Sequence, residues 1–183
     1  MIADVSDQHD AAGMSVLAIG DSLQLAHQLG LSAAGITKAD YPEFNILSLP
    51  MTDDSFDVVL SDQVLEHVAG DPFVAVRESV RVARPGGYII HTTCFFNSIH
   101  YAPGDFWRFT PDGLRLLCKD IAEPVEVGGW GNLTLIPITG LGLRFRPVPA
   151  SRWHPLHWAA VRNNPLWPVS TWLVARKPAF AAP

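Results

Sequence analysis

Four short apolar runs alternate with helix signals along the first two thirds of the chain, and this alternation limits the fold more than any other feature. Residues 15–20 (S-V-L-A-I-G) end in glycine and read as a buried strand. Residues 22–31 carry Leu25 and Leu29 at helical spacing, with Gly30 as a stop. Residues 34–37 give a second strand, and residues 56–61 (F-D-V-V-L-S) a third, opened by the turn-like Thr52-Asp53-Asp54-Ser55. Asp71-Pro72 then supplies an N-cap and a proline at the first helical position. Phe73, Val76, Val80 and Ala83 line one face of the predicted helix, which stops at Pro85-Gly86-Gly87. Residues 88–93 are the next strand. Thr110-Pro111 repeats the cap-plus-proline signal, with Leu114, Leu117 and Ile121 on the buried face. Residues 125–127 and 170–175 read as two late strands. Strand and helix in alternation predict an α/β fold with a mostly parallel, doubly wound sheet. Such sheets take ligands at the carboxyl ends of their strands, so the residues just after each strand are the candidates.

Composition bounds the rest. A chain of 183 residues fits one domain spanning 1–183, and 48% hydrophobic with 17% charged residues excludes disorder and coiled coil. The net charge of −5 argues against an unaided nucleic-acid binder. Cys94 and Cys118 have no metal-ligand spacing and form no disulfide framework. Asp4, Asp7 and Asp10 do not suit a secretory signal, and the longest stretch free of acidic, basic and His residues, 127–143, is broken by Gly and Pro. The expectation is a cytoplasmic domain with no membrane span. All 18 acids lie at or before Glu126, with seven of the 13 basic residues. Residues 127–183 have six basic residues, no acid, and five of the six Trp. Residues 128–169 are therefore expected to be an irregular basic, Trp/Pro-rich insertion between the last two strands. It reads either as a subregion folded back on an acidic body or as a surface for an anionic or amphipathic ligand.

Gly20-Asp21-Ser22 follows the first strand, where glycine permits a sharp turn or the close approach of a ligand. Asp40 lies 20 residues beyond Gly20. An acid at that distance suits a pair of ribose hydroxyls, or is a solvated loop acid before Pro42.

Residues 56–68 (F-D-V-V-L-S-D-Q-V-L-E-H-V), Arg84-Pro85-Gly86-Gly87, and Leu49-Pro50 ahead of Asp53-Asp54-Ser55-Phe56-Asp57 form an ordered set. It resembles the class I S-adenosylmethionine-dependent methyltransferases, specifically the small-molecule, methyltransferase type 11-like branch. The resemblance runs from about residue 15 to 93. It implies a Rossmann-like sheet with a late antiparallel strand, S-adenosylmethionine as cofactor, S-adenosylhomocysteine as product, and a small-molecule acceptor with an O, N or C nucleophile. It implies that Gly20 opens the methionine-binding loop, that Asp40 binds the ribose hydroxyls, and that Tyr41 flanks the adenine. Asn45 would face the adenine amine and Ile46 would pack on the ring. Ser61, Asp62 and Gln63 would floor the methionine moiety, with Asp21 or Asp62 available to its ammonium.

The sequence departs from this family at three points. Ala18 stands where the family has an acid, Ser22 and Gln24 replace later glycines, and only about 15 residues precede the first strand. An open site, a site completed by another chain as in a homodimer, and a catalytically inactive binding or partner subunit are the three readings of these departures. Residues 99–110 (I-H-Y-A-P-G-D-F-W-R-F-T) resemble a loop of a bacterial methyltransferase subgroup. His100 and His67 are the candidate general bases, and Asp105, Trp107 and Arg108 the candidate acceptor-binding residues. The competing readings are an Asp105–Arg108 pair, a Trp107 core anchor and His67 in helix packing. Cys94 reads as a buried small hydrophobe. No metal is expected, and His154 and His157 have no clear metal partners.

Overall fold

The computed structural model describes residues 13–101, 103–142 and 147–179. Arg144 and Arg146, like Asp4, Asp7 and Asp10, lie outside them. Six strands form one sheet: β1 (Ser15–Ile19), β2 (Gly35–Ala39), β3 (Phe56–Asp62), β4 (Ala83–Cys94), β5 (Glu123–Trp130) and β6 (Ser170–Arg176). Their order is β2-β1-β3-β4-β6-β5. The first four pair in parallel, and β6 runs antiparallel to both β4 and β5. Five helices accompany the sheet among the described residues: α1 (Leu23–Gln28), α2 (Pro72–Val82), α3 (Pro111–Leu117), α4 (Leu135–Gly140) and α5 (Pro155–Val161).

Strand alternation divides the core in two. Leu17, Ile19, Val59, Ile89 and Leu173 point to the face covered by α2 and α3, where Val76, Val80, Leu114 and Leu117 are buried. Val16, Val58, Leu60, Ile90 and Val174 point to the other face, covered by Ala26 and Leu29 at α1 and by Leu31 just beyond it. Each such side chain contributes about 1.5–3 kcal/mol on burial.

The two cap-plus-proline signals form as expected. The Asp71 carboxylate accepts from the Phe73 amide at 2.9 Å, and Thr110 Oγ1 from that of Gly113 at 3.0 Å. Three expectations are corrected. Helix α1 is six residues, because Gly30 adopts φ 77 and the chain continues as a short 3-10 turn, Leu31–Ala33. Phe73 is on the exposed side of α2, which buries Ala75, Val76, Ser79 and Val80 instead. Finally, Arg84-Pro85-Gly86-Gly87 lies within β4 as an irregularity in its pairing with β3, between Phe56 and Val58. A Cβ at Gly87 would stand 2.9 Å from the Arg84 carbonyl and 3.0 Å from that of Asp57, so the backbones meet there because the residue is glycine.

The region 128–169 is less irregular than its composition suggests. β5 continues to Trp130, with α4 and α5 after it. Asn132 holds this part together, donating to the carbonyls of Ala159 and Arg162, both at 2.7 Å. Trp153 is 84% exposed, and the Arg162 guanidinium lies 3.7 Å over the Trp158 ring. What positions the site is register. Ile19 pairs with both Ala39 and Ser61, so the residues leaving β1, β2 and β3 emerge side by side on one edge.

Candidate active site

At that edge lies a cleft of about 590 Å³. Of the residues predicted for the cofactor, Gly20, Asp21, Tyr41, Asn45, Ile46, Asp62 and Gln63 line it, together with Phe44, Leu47, Val64 and His67. Gly20 has φ 69, a left-handed turn that suits glycine, and its amide donates to the Ala39 carbonyl at 3.0 Å. Asp40 is exposed between Ala39 and Tyr41, both on the cleft wall. Among the described residues, the carboxylates of Asp21 and Asp40 have no hydrogen-bond or ion-pair partner. Asn45 Oδ1 accepts from the Leu47 amide at 2.9 Å, leaving its amide nitrogen as the less committed group. The Asp62 carboxylate accepts from the Thr92 hydroxyl. Gln63 takes φ 55 and donates from Nε2 to Thr92 Oγ1 at 3.3 Å.

Ser61 is outside the cleft. It is fully buried, and its hydroxyl shares a 2.7 Å hydrogen bond with His91 Nδ1. Strand alternation explains the correction, because Asp62 faces the opposite side. Burial holds the His91 pKa down at about 4, so the ring is neutral at physiological pH. In the sequence Ser22 stands out only as a replaced glycine. In the fold its buried hydroxyl donates to the Ile19 carbonyl at 2.5 Å and accepts from the Asp62 amide at 2.7 Å. It ties the exit of β1 to that of β3, which fits the preference of serine for backbone hydrogen bonding at a helix start.

The loop after β4 packs against the same edge. His67 Nδ1 hydrogen-bonds the Gly104 carbonyl. The rings of His67 and His100 meet edge to face, with centroids 4.9 Å apart. The Asp105 carboxylate is 1% exposed. It pairs through both oxygens with Arg108, the Nη2–Oδ2 contact being 2.8 Å, and accepts from the His100 amide at 2.9 Å. The Arg108 guanidinium, and then the His100 amide, hold its pKa well below the usual carboxylate range. Trp107 lines no described cleft: its Nε1 donates to the Val68 carbonyl at 2.8 Å and its ring stacks on Phe109. Asp105, Trp107 and Arg108 thus spend their polar groups on the protein's own structure. Beneath the loop, Glu66 is fully buried and Oε2 accepts from Thr93 Oγ1 at 2.9 Å. Burial, reinforced by Glu66, pushes the Cys94 thiol up to about 12, which removes it as a nucleophile.

Residues 10–91 match the family model described as a methyltransferase domain. A probable S-adenosylmethionine-dependent methyltransferase of Mycolicibacterium smegmatis is 35% identical over 94 residues, which is 51% of this chain and 35% of that protein. The chain is thus similar to the class I S-adenosylmethionine-dependent methyltransferases, the family-model match running from β1 into β4. An uncharacterized 37.1 kDa protein of a Streptomyces fradiae transposon is 35% identical over 145 residues, 74% of this chain and 41% of that protein. The chain spans well under half the length of these two curated relatives. The methyltransferase fold is also that of a Haloferax volcanii putative methyltransferase solved with the Trm112 activator. The TM-score is 0.61 at 18% identity, covering 91% of this chain and 83% of that one.

The residues at this edge fit S-adenosylmethionine, the cofactor named for the Mycolicibacterium relative. The cleft has an apolar wall in Phe44, Ile46 and Leu47, acids at the strand exits, and a positive-φ glycine at the first turn. No helix of the described residues is long and apolar enough to cross a membrane.

Proposed function

We propose that the domain binds S-adenosylmethionine in this cleft and methylates a small-molecule acceptor that enters beside His67 and His100. The observation that supports this reading most is the strand-exit geometry. Two carboxylates without a partner among the described residues stand there, Asp21 on the wall of a cleft with an apolar side and Asp40 exposed just outside its lining, between Ala39 and Tyr41. Asp40 would take the ribose hydroxyls, Ile46 and Tyr41 the adenine, and Asp21 or Asp62 the ammonium. When bound, the cofactor supplies an activated methyl whose sulfur leaves as a neutral thioether, so no acid is required. The chain's own work is to hold donor and acceptor in line and to exclude water. An acceptor that must lose a proton would find His67 and His100 at the loop side of the cleft.

The test is calorimetric titration with S-adenosylhomocysteine. Micromolar binding is expected, weakened about 10–100-fold in Asp40→Ala, the value of a charge-assisted hydrogen bond. Absence of binding by the folded protein would overturn the reading. It would favour the alternative of a catalytically inactive partner subunit. The exposed Trp153 and Leu166 of the basic region support that alternative.

A further inference from the structure

The described residues contain one cluster that the cofactor does not use. Ligand atoms of Glu66, His67 and His100 all lie within 4.8 Å of one another. Glu66 is 0% exposed, and while Oε2 is occupied by Thr93, Oε1 has no hydrogen-bond partner among the described residues. A buried carboxylate oxygen left in this state is costly unless a cation meets it, and the Arg108 guanidinium and Cys94 thiol are within electrostatic reach of the carboxyl without hydrogen-bonding Oε1. Each imidazole has its Nδ1 set against polar groups of the loop after β4. His67 Nδ1 faces the Gly104 carbonyl, an acceptor only, so it carries the proton and leaves the Nε2 lone pair free. His100 Nδ1 faces the Ser98 carbonyl at 3.1 Å and the Asp105 carboxylate at 3.3 Å, two acceptors that favour a proton there over the more distant Asn97 amide nitrogen at 3.5 Å. Asp105 is itself fixed by Arg108. A histidine whose other nitrogen is tied to a carbonyl or carboxylate is the arrangement that orients metal ligands.

We propose that Glu66, His67 and His100 form a binding site for a first-row divalent cation of the zinc type. Two imidazole nitrogens and one carboxylate suit such an ion, whereas Mg2+ prefers an oxygen shell. In a tetrahedral shell, metal–ligand bonds of about 2.0–2.2 Å place ligand atoms ~3.3–3.6 Å apart, so ligand atoms spread over as much as 4.8 Å would draw together by about an ångström, a movement available to the partly exposed His100 loop. Three protein ligands leave a coordination position open, as in catalytic rather than structural sites. His67 also lines the cofactor cleft, so the open position borders the place proposed for the acceptor. With both imidazoles ligated, the ion rather than either histidine would hold the acceptor oxygen and favour loss of its proton. That use rests on the methyltransferase reading; binding of the ion does not.

The experiment titrates metal-free protein with Zn2+ and Co2+ by calorimetry and records the visible spectrum of the Co2+ form. One site per chain is expected, with Zn2+ displacing Co2+ and Mg2+ failing to compete. Glu66→Gln, which keeps the shape and the Thr93 contact, and His100→Ala, on a partly exposed loop, should each weaken Zn2+ by more than about 100-fold, beyond the effect of losing an orienting residue. The double variant His154→Ala/His157→Ala should bind as the parent does. No stoichiometric site, unchanged affinity in either single variant, or loss confined to the His154/His157 variant would overturn the proposal. S-adenosylhomocysteine binding is measured in parallel on the metal-free protein. Cofactor binding without a metal site sinks this inference alone, and a metal site without cofactor binding sinks the methyltransferase reading alone.

Discussion

Between residues 19 and 47 the rim of the sheet turns its polar groups outward, while between residues 97 and 109 it ties them to each other. Asp21 and Asp40 are carboxylates with no partner among the described residues. Asp105, on the loop after β4, has both oxygens taken by Arg108 and one shared with the His100 amide. The same residue type is thus a free acceptor in one place and a buried tether in the other. The difference teaches where ligand-binding capacity resides. A group that is already satisfied shapes the site, and a group left open recognises what enters. Glu66 combines the two conditions, with one oxygen committed to Thr93 and one open.

Three measurements would break or sharpen this contrast. The largest effect is expected for Arg108→Ala, which strands the Asp105 carboxylate at 1% exposure. Removing one partner of a buried pair costs about 3 kcal/mol or more, read by urea denaturation, while S-adenosylhomocysteine affinity should change less than about twofold. A loss of affinity with no loss of stability would place Arg108 on the ligand side instead. The next effect concerns His91 beneath the rim. The ring ionises near 6.5 when unfolded and at about 4 when folded, so folding favours its neutral form. Its contribution is complete above pH 6.5 and is lost as the pH falls toward 4, amounting to about 3 kcal/mol. Its imidazole resonances should stay constant from pH 8 down to about 5; titration near 6.5 would refute the buried, neutral assignment. The smallest effect on folding is expected for Asp40→Ala. An exposed acid without a partner should shift stability by no more than about 0.5 kcal/mol, although cofactor affinity falls. A large destabilisation would mean that Asp40 is structural after all.

The local signals are legible in the sequence. Asp71-Pro72 and Thr110-Pro111 start helices where they stand, because an N-cap bonds only two or three residues ahead. The apolar runs become β1, β3 and the body of β4, and the strand-exit residues gather at one edge. Gly20 and Asp21 are readable as residues leaving a strand, since a parallel sheet brings its exits together, whereas Tyr41, Asn45, Ile46, Asp62 and Gln63 are named by the family resemblance. Phe73 misleads because Phe satisfies helical spacing whether or not a partner element covers it.

What the sequence by itself determined was therefore the alternation, the caps and the strand-exit order, all properties of neighbours within a few residues. Only the tertiary structure decided the partners. Ser61 paired with His91, Ser22 with Asp62, Asp105 with Arg108 as well as His100, and Glu66 was drawn under the loop beside both histidines. The first two pairings join residues 30 and 40 positions apart, and even the short-range Asp105 pairings depend on how the loop seats against the sheet. The physical reason is that a side chain's chemistry is set by what desolvates it and what bonds it, and packing assigns both.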